Sequence, residues 1–125
     1  MNGIKYLLDT NALISFLQGN PKLRELTSST SLGISIISVL EFLSFTGIKE
    51  PDKKLLLDFI SKIDVTGLAS DNLQLLDIIT DIRANFKVKL PDAIIAGTAI
   101  HKNAVLITND KDFVKISMLK IRDFN

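Results

Sequence analysis

The sequence predicts an α/β fold: a three-layer α/β/α sandwich on a central, mainly parallel sheet. Three observations predict it. Short apolar runs of strand length alternate along the chain with segments of helical periodicity. One segment, residues 90–100, is apolar or small on every side, so it reads as a helix enclosed by other elements. The run at residues 104–108, rich in branched residues, follows it after a break at Lys102 and Asn103, as a central strand would.

The elements follow in order. Residues 4–8 read as a first strand, and Asp9, Thr10 and Asn11 close it with residues that favour turns and helix starts. A short helix is expected over 11–17, stopped by Gly19, Asn20 and Pro21, with a second over 22–26. Residues 27–31, all Ser or Thr, read as a solvated loop. Residues 32–36 alternate like a strand, and a helix begins at Ser38. Glu50, Pro51 and Asp52 start another helix, with Leu56, Phe59, Ile60 and Ile63 on one face. Residues 64–67 suggest an edge strand. Leu75, Ile79, Ile82 and Phe86 give the longest amphipathic helix, over about 70–86. In the enclosed helix Pro91 suits the first helical position, which puts Asp92 in the first turn. A last edge strand is expected over 119–121.

Composition narrows the function classes. The 125 residues fit a single domain over 1–125, and 15 basic against 14 acidic residues leave a formal charge of +1. Nucleic-acid binding would therefore need a local basic patch. The absence of cysteine excludes disulfides and thiolate metal sites and suits a reducing, cytoplasmic setting. Lys5 and Asp9 interrupt the first apolar run, against a signal peptide, and no run is long enough for a membrane span. No Gly-x-Ser-x-Gly, Walker A or Gly-x-Gly-x-x-Gly pattern occurs, so covalent nucleophilic catalysis has little support.

Topology gives four acids a common address. In strand-helix-strand units the helix starts at the carboxyl edge of the sheet. Asp9 and Asp110 end strands there, and Glu41 and Asp92 are expected to begin helices there. This is the rim where open α/β sheets bind ligands. Each acid also has a purely structural reading. Asp9 and Asp110 suit turns or caps, Glu41 stands three residues after Ser38 as in a capping box, and Asp92 favours a helix dipole. Caps explain each acid singly; convergence of all four asks for more. Carboxylates about 4 Å apart repel by roughly 4 kcal/mol at an effective dielectric near 20. A divalent cation removes the conflict, and all-oxygen ligation suits Mg²⁺ or Mn²⁺. Asn11 and Thr108 stand beside these acids and read either as accessory or as structural residues; Asp112 reads as solvated or as an extra member. His101 reads as a favourable charge at a helix end, and Lys87, Lys89 and Lys111 are the cations nearest the acids in sequence.

Taken together, Asp9-Thr10-Asn11 after a strand, Ser38-x-x-Glu41, the run Leu90-Pro91-Asp92-Ala93-Ile94-Ile95-Ala96 and Thr108-Asn109-Asp110-x-Asp112-Phe113 resemble the PIN-domain nucleases, specifically the VapC-like toxins of toxin–antitoxin pairs. The likeness spans essentially the whole chain. It implies a Mg²⁺-dependent endoribonuclease, usually a homodimer, silenced by a cognate antitoxin whose tail occupies the active-site groove. Asp9, Glu41, Asp92 and Asp110 match the acidic quartet and its metal ligands; Thr108 and Asn11 match accessory positions. Gly97 stands where the family often has alanine, which bears on packing. Two rivals stand beside this reading. A phosphotransferase with Asp9 as nucleophile would need an acid two residues on, where this chain has Asn11. A catalytically idle partner-binding module would have no use for the quartet.

Overall fold

The computed structural model describes residues 3–28 and 31–125. Five strands form one sheet in the order β3-β2-β1-β4-β5, and every pairing is parallel. They are β1 (Tyr6–Leu8), β2 (Leu32–Ser35), β3 (Asp64–Thr66), β4 (Val105–Ile107) and β5 (Ile121–Arg122). Side chains alternate across β1: Leu7 faces one core, while Tyr6 and Leu8 face the other. Helices α1 (Thr10–Leu17), α2 (Pro21–Thr27), α3 (Ile36–Leu43) and α4 (Glu50–Ile60) cover the second face; α5 (Leu73–Asn85) and α6 (Leu90–His101) cover the first. This is the three-layer arrangement expected, with a fully parallel sheet.

Local chemistry explains most boundaries. Asp9 caps α1 by accepting from the Ala12 N–H, and Gly19, at φ +88°, takes the left-handed conformation after that helix. Asn72 caps α5 in the same way. The enclosed helix is α6, buried continuously from Ala93 to Ala99, and Gly97 lies against Ile79 of α5. The edge strands β3 and β5 are where the sequence reading put edges, although β5 begins at the last residue of its expected range.

Two expectations are corrected. The run 27–31 is not wholly loop: Thr27 closes α2, is buried, and donates its hydroxyl to the Leu23 carbonyl at 2.7 Å. Ser29 and Thr30, in the same expected loop, lie outside the described residues. The third helix starts at Ile36 with Ser35 as its cap, so Ser38 and Glu41 form no capping box and Glu41 sits well inside α3 rather than at its start. The apolar pair Ile36-Ile37 fits either a strand or a helix pattern, and the Ser35 hydroxyl, accepting from the Ile37 N–H at 3.2 Å, decides for helix. Among the described residues no helix is long and apolar enough to cross a membrane.

Candidate functional site

The carboxyl ends of β1 and β4 lie side by side, because Leu8 pairs with Ile107 and the Asp9 N–H donates to the Ile107 carbonyl at 3.2 Å. Asp9 and Thr108 are therefore neighbours across the strand gap. The Thr108 hydroxyl donates to Asp9 Oδ2, and the Ala12 N–H donates to Oδ1 at 2.8 Å. Asp9 is thus a helix cap and a site residue at once; each of its oxygens keeps a lone pair after these bonds. Only 4% of it is exposed. Burial pushes its carboxyl above the ordinary value of 3.8, and the charges of Asp110 and Asp92 push the same way against the two hydrogen bonds.

Asp110 and Asp112 come from the turn after β4. The Asp110 N–H donates to Thr108 Oγ1, and Asp110 Oδ1 accepts from the Asp112 N–H, each at 2.9 Å, so the turn folds into the short 3₁₀ helix Lys111–Lys115. Both acids are exposed. Asp92, half-buried in the first turn of α6, meets them: carboxylate oxygens of Asp92, Asp110 and Asp112 lie within 4.8 Å of one another. Burial raises the Asp92 carboxyl above its ordinary range, reinforced by Asp110, Glu41 and Asp112, while Lys89 pulls the other way.

Glu41 reaches the rim from α3. Its Oε1 accepts from the Thr10 hydroxyl at 2.5 Å, and Thr10 Oγ1 also stands 3.1 Å from Ser38 Oγ. Asp9, Thr10, Asn11, Glu41, Asp92 and Asp110 line one depression of about 380 Å³, floored in part by Ile95 and Phe113. Beside it runs an apolar groove of about 330 Å³ between α1, α3 and α4, lined by Ile14, Leu17, Phe42, Ile48 and Leu55. Phe45, half exposed, borders both.

All six residues singled out from the sequence gather at this rim: five line the depression, and Thr108 lies beneath it holding Asp9. The close trio, however, holds Asp112, whose part the sequence left open, and Asp9 and Glu41 are not in it. Of the three lysines, Lys89 lies close enough to Asp92 to favour its charge. Lys87 offers its carbonyl to Lys115 Nζ at 3.1 Å, and Lys111 opens the 3₁₀ helix. Lys115 was not foreseen; it also stands 3.8 Å from Asp112. Nor was Thr10 foreseen as a contact of Glu41. His101 stays outside the depression, with Nε2 3.5 Å from Asn72 Nδ2 at the far end of α6.

The donor set fits a hard divalent cation. Three carboxylates share a few ångströms, no thiolate exists in the chain, and the neighbouring carboxylates add to burial in raising the carboxyls of Asp9 and Asp92.

Residues 6–118 match the family profile of the PIN domain. Among solved structures the chain is similar to a DNA-bound VapBC from Salmonella typhimurium, with 26% identity, a TM-score of 0.73 and coverage of 98% of this chain and 99% of that one. It is similar to VapBC-1 from nontypeable Haemophilus influenzae at 25% identity and TM-score 0.78, covering 97% and 98%. A toxin–antitoxin complex from Klebsiella pneumoniae gives 25% identity and TM-score 0.75, covering 92% and 95%. No curated protein matches.

Proposed function

This chain belongs to the PIN-domain family, and from that premise we propose that it is the VapC-like toxin of a toxin–antitoxin pair, a Mg²⁺-dependent endoribonuclease acting as one domain over residues 1–125. The observation that carries the reading is the meeting of Asp9, Glu41, Asp92 and Asp110, from four separate segments, around one depression. Asp9, Asp92 and Asp110 would hold the cation, with Asp112 close enough to join them and Glu41 lining the same depression. When bound, Mg²⁺, or Mn²⁺ in its place, supplies Lewis acidity that eases deprotonation of water and offsets charge growing on the phosphodiester oxygens.

The chain's own residues do the rest. Glu41 orients the attacking water and accepts its proton as the water oxygen bonds to phosphorus; the bond to the leaving ribose oxygen breaks, and that oxygen takes a proton from solvent. Thr108 keeps the Asp9 carboxylate aimed into the depression, and Asn11 offers an amide at its edge. Lys89, at the start of α6, attracts the phosphate backbone. A nucleophilic role for Asp9 is disfavoured, because the position two residues on, where such a mechanism needs an acid, is Asn11. The apolar groove bordering the depression suits the tail of a cognate antitoxin, which would place its end over the acids. The similar structures are of VapBC and of a toxin–antitoxin complex, which supports that partner. A cytoplasmic homodimer completes the proposal.

The test is RNA cleavage by wild type, Asp9→Asn and Asp92→Asn with Mg²⁺, and by wild type in EDTA. Wild type with Mg²⁺ is expected to cut. Each of the other conditions is expected to lose more than about 100-fold, since even residues supporting a ligand are worth 10–100-fold. Equal activity throughout would overturn the mechanism.

A further inference from the structure

We infer that Ser38 and Thr10 form a directed pair of hydroxyls that positions the Glu41 carboxylate, which makes both of them positioning residues for the cleavage. The inference rests on the role given to Glu41 above and adds how that side chain is held. Thr10 Oγ1 lies 2.5 Å from Glu41 Oε1 and 3.1 Å from Ser38 Oγ, yet a hydroxyl has one proton. The shorter distance falls in the range of a hydroxyl donating to an ionised carboxylate, so the Thr10 proton goes to Glu41. Ser38 must then donate its own proton to the Thr10 oxygen. Ser38 is fully buried, so water cannot substitute for it.

Chain geometry explains why these three meet. Ser38 and Glu41 are three residues apart on α3 and so share a face. That face looks onto the first residue of α1, Thr10, which directly follows Asp9. One hydroxyl therefore ties the segment carrying Asp9 to the side chain of Glu41 and fixes a long, rotamer-rich carboxylate before substrate arrives.

The experiment compares Thr10→Val, Thr10→Ser and Glu41→Gln, singly, and Thr10→Val combined with Glu41→Gln. With RNA and Mg²⁺, Thr10→Val is expected to lower kcat at least ~10-fold with KM within about twofold, and Thr10→Ser to return kcat to within about threefold of wild type. On the Glu41→Gln background Thr10→Val is expected to cost nothing further. In metal-free protein carrying ¹³C-labelled glutamate, the Glu41 side-chain carboxyl resonance is expected to move in Thr10→Val and return in Thr10→Ser. An unchanged kcat in Thr10→Val, losses that multiply in the double variant, or an unmoved resonance would each overturn the inference. If wild type cuts no RNA, the nuclease reading fails by itself. The resonance then decides alone: moved by Val and restored by Ser upholds the hydroxyl pair, and unmoved overturns it.

Discussion

Replacing Asp92 by Asn is expected to stabilise the metal-free protein and destabilise it relative to wild type once Mg²⁺ is added. Carboxylate oxygens of Asp92, Asp110 and Asp112 lie within 4.8 Å of one another. At that separation a pair repels by about 3.5 kcal/mol at an effective dielectric of 20 and about 1 kcal/mol in water. Asp110 and Asp112 are exposed, so the lower figure governs both of their contacts with Asp92. Asp92 also sits in the first turn of α6, where the helix N-terminus returns about 0.3–1 kcal/mol for a negative charge. Repulsion exceeds the dipole, and neutralising Asp92 leaves a net gain of about 1 kcal/mol, or ~3–5 °C in Tm for a chain of this length. Mg²⁺ at 100 times its Kd stabilises wild type by about 2.7 kcal/mol and a variant lacking a ligand far less. Thermal melts of both proteins in EDTA and in Mg²⁺ should therefore cross in rank. A variant less stable than wild type in EDTA, or an equal response of both to Mg²⁺, would refute the account of these acids as an uncompensated cation site.

Two further outcomes follow from the same geometry. Asp9 and Asp92 both carry carboxyls raised above 3.8, chiefly by burial, so the native state binds their protons more tightly than the unfolded chain does. The stability linked to them is complete below 3.8 and is lost as pH rises through the raised values. Denaturant midpoints in EDTA should fall relative to an Asp9→Asn, Asp92→Asn double variant as pH climbs through that window, and a constant difference would contradict it. Gly97→Ala sets helix propensity against packing. Alanine favours the helix by about 1 kcal/mol. Its Cβ, however, would stand 2.7 Å from Ile79 Cγ1 and 3.5 Å from the Ile79 Cα, in a buried contact between α5 and α6. Overpacking costs typically about 1–3 kcal/mol, and a β-branched neighbour has little room to turn aside, so a net loss of about 1 kcal/mol is expected by denaturant unfolding. A variant as stable as wild type would show that Ile79 moves freely.

Much of the architecture was legible because it rests on rules local to the chain. The short apolar run around Leu7, the apolar closure of α6 and the turn and helix-start residues from Asp9 each mark an element without reference to its neighbours, whereas the Asn72 cap of α5 was not singled out. The error at α3 has the same origin. Ser35 and Ser38 both carry a helix-start signal, and the competing signal Ser38-x-x-Glu41 is the stronger in sequence, but β2 ends where its pairing with β3 ends, at Ser35 and Thr66. Tertiary pairing chose the cap. β5 shifted for a related reason: an edge strand takes its register from one neighbour, here Leu106 and Ile107, rather than from its own pattern.

The site divides along the same line. That Asp9, Asp92 and Asp110 reach one rim follows from strand polarity alone, whereas Asp112 joins through a 3₁₀ turn held by Asp110, and Thr10 meets Glu41 through the packing of α1 on α3. Those contacts depend on distances no spacing in the sequence encodes. The structural and functional readings of the acids were never true alternatives. In a parallel sheet the edge where strands end is also where helices begin, so carboxylates chosen to cap one element are delivered beside those that start another. A cap returns at most a kilocalorie or two per acid, and each pair of carboxylates gathered at the exposed part of the rim costs about 1 kcal/mol in return. Burial raises the carboxyls of Asp9 and Asp92 and the neighbouring carboxylates push the same way, so a bound cation would offset the repulsion while leaving every cap in place.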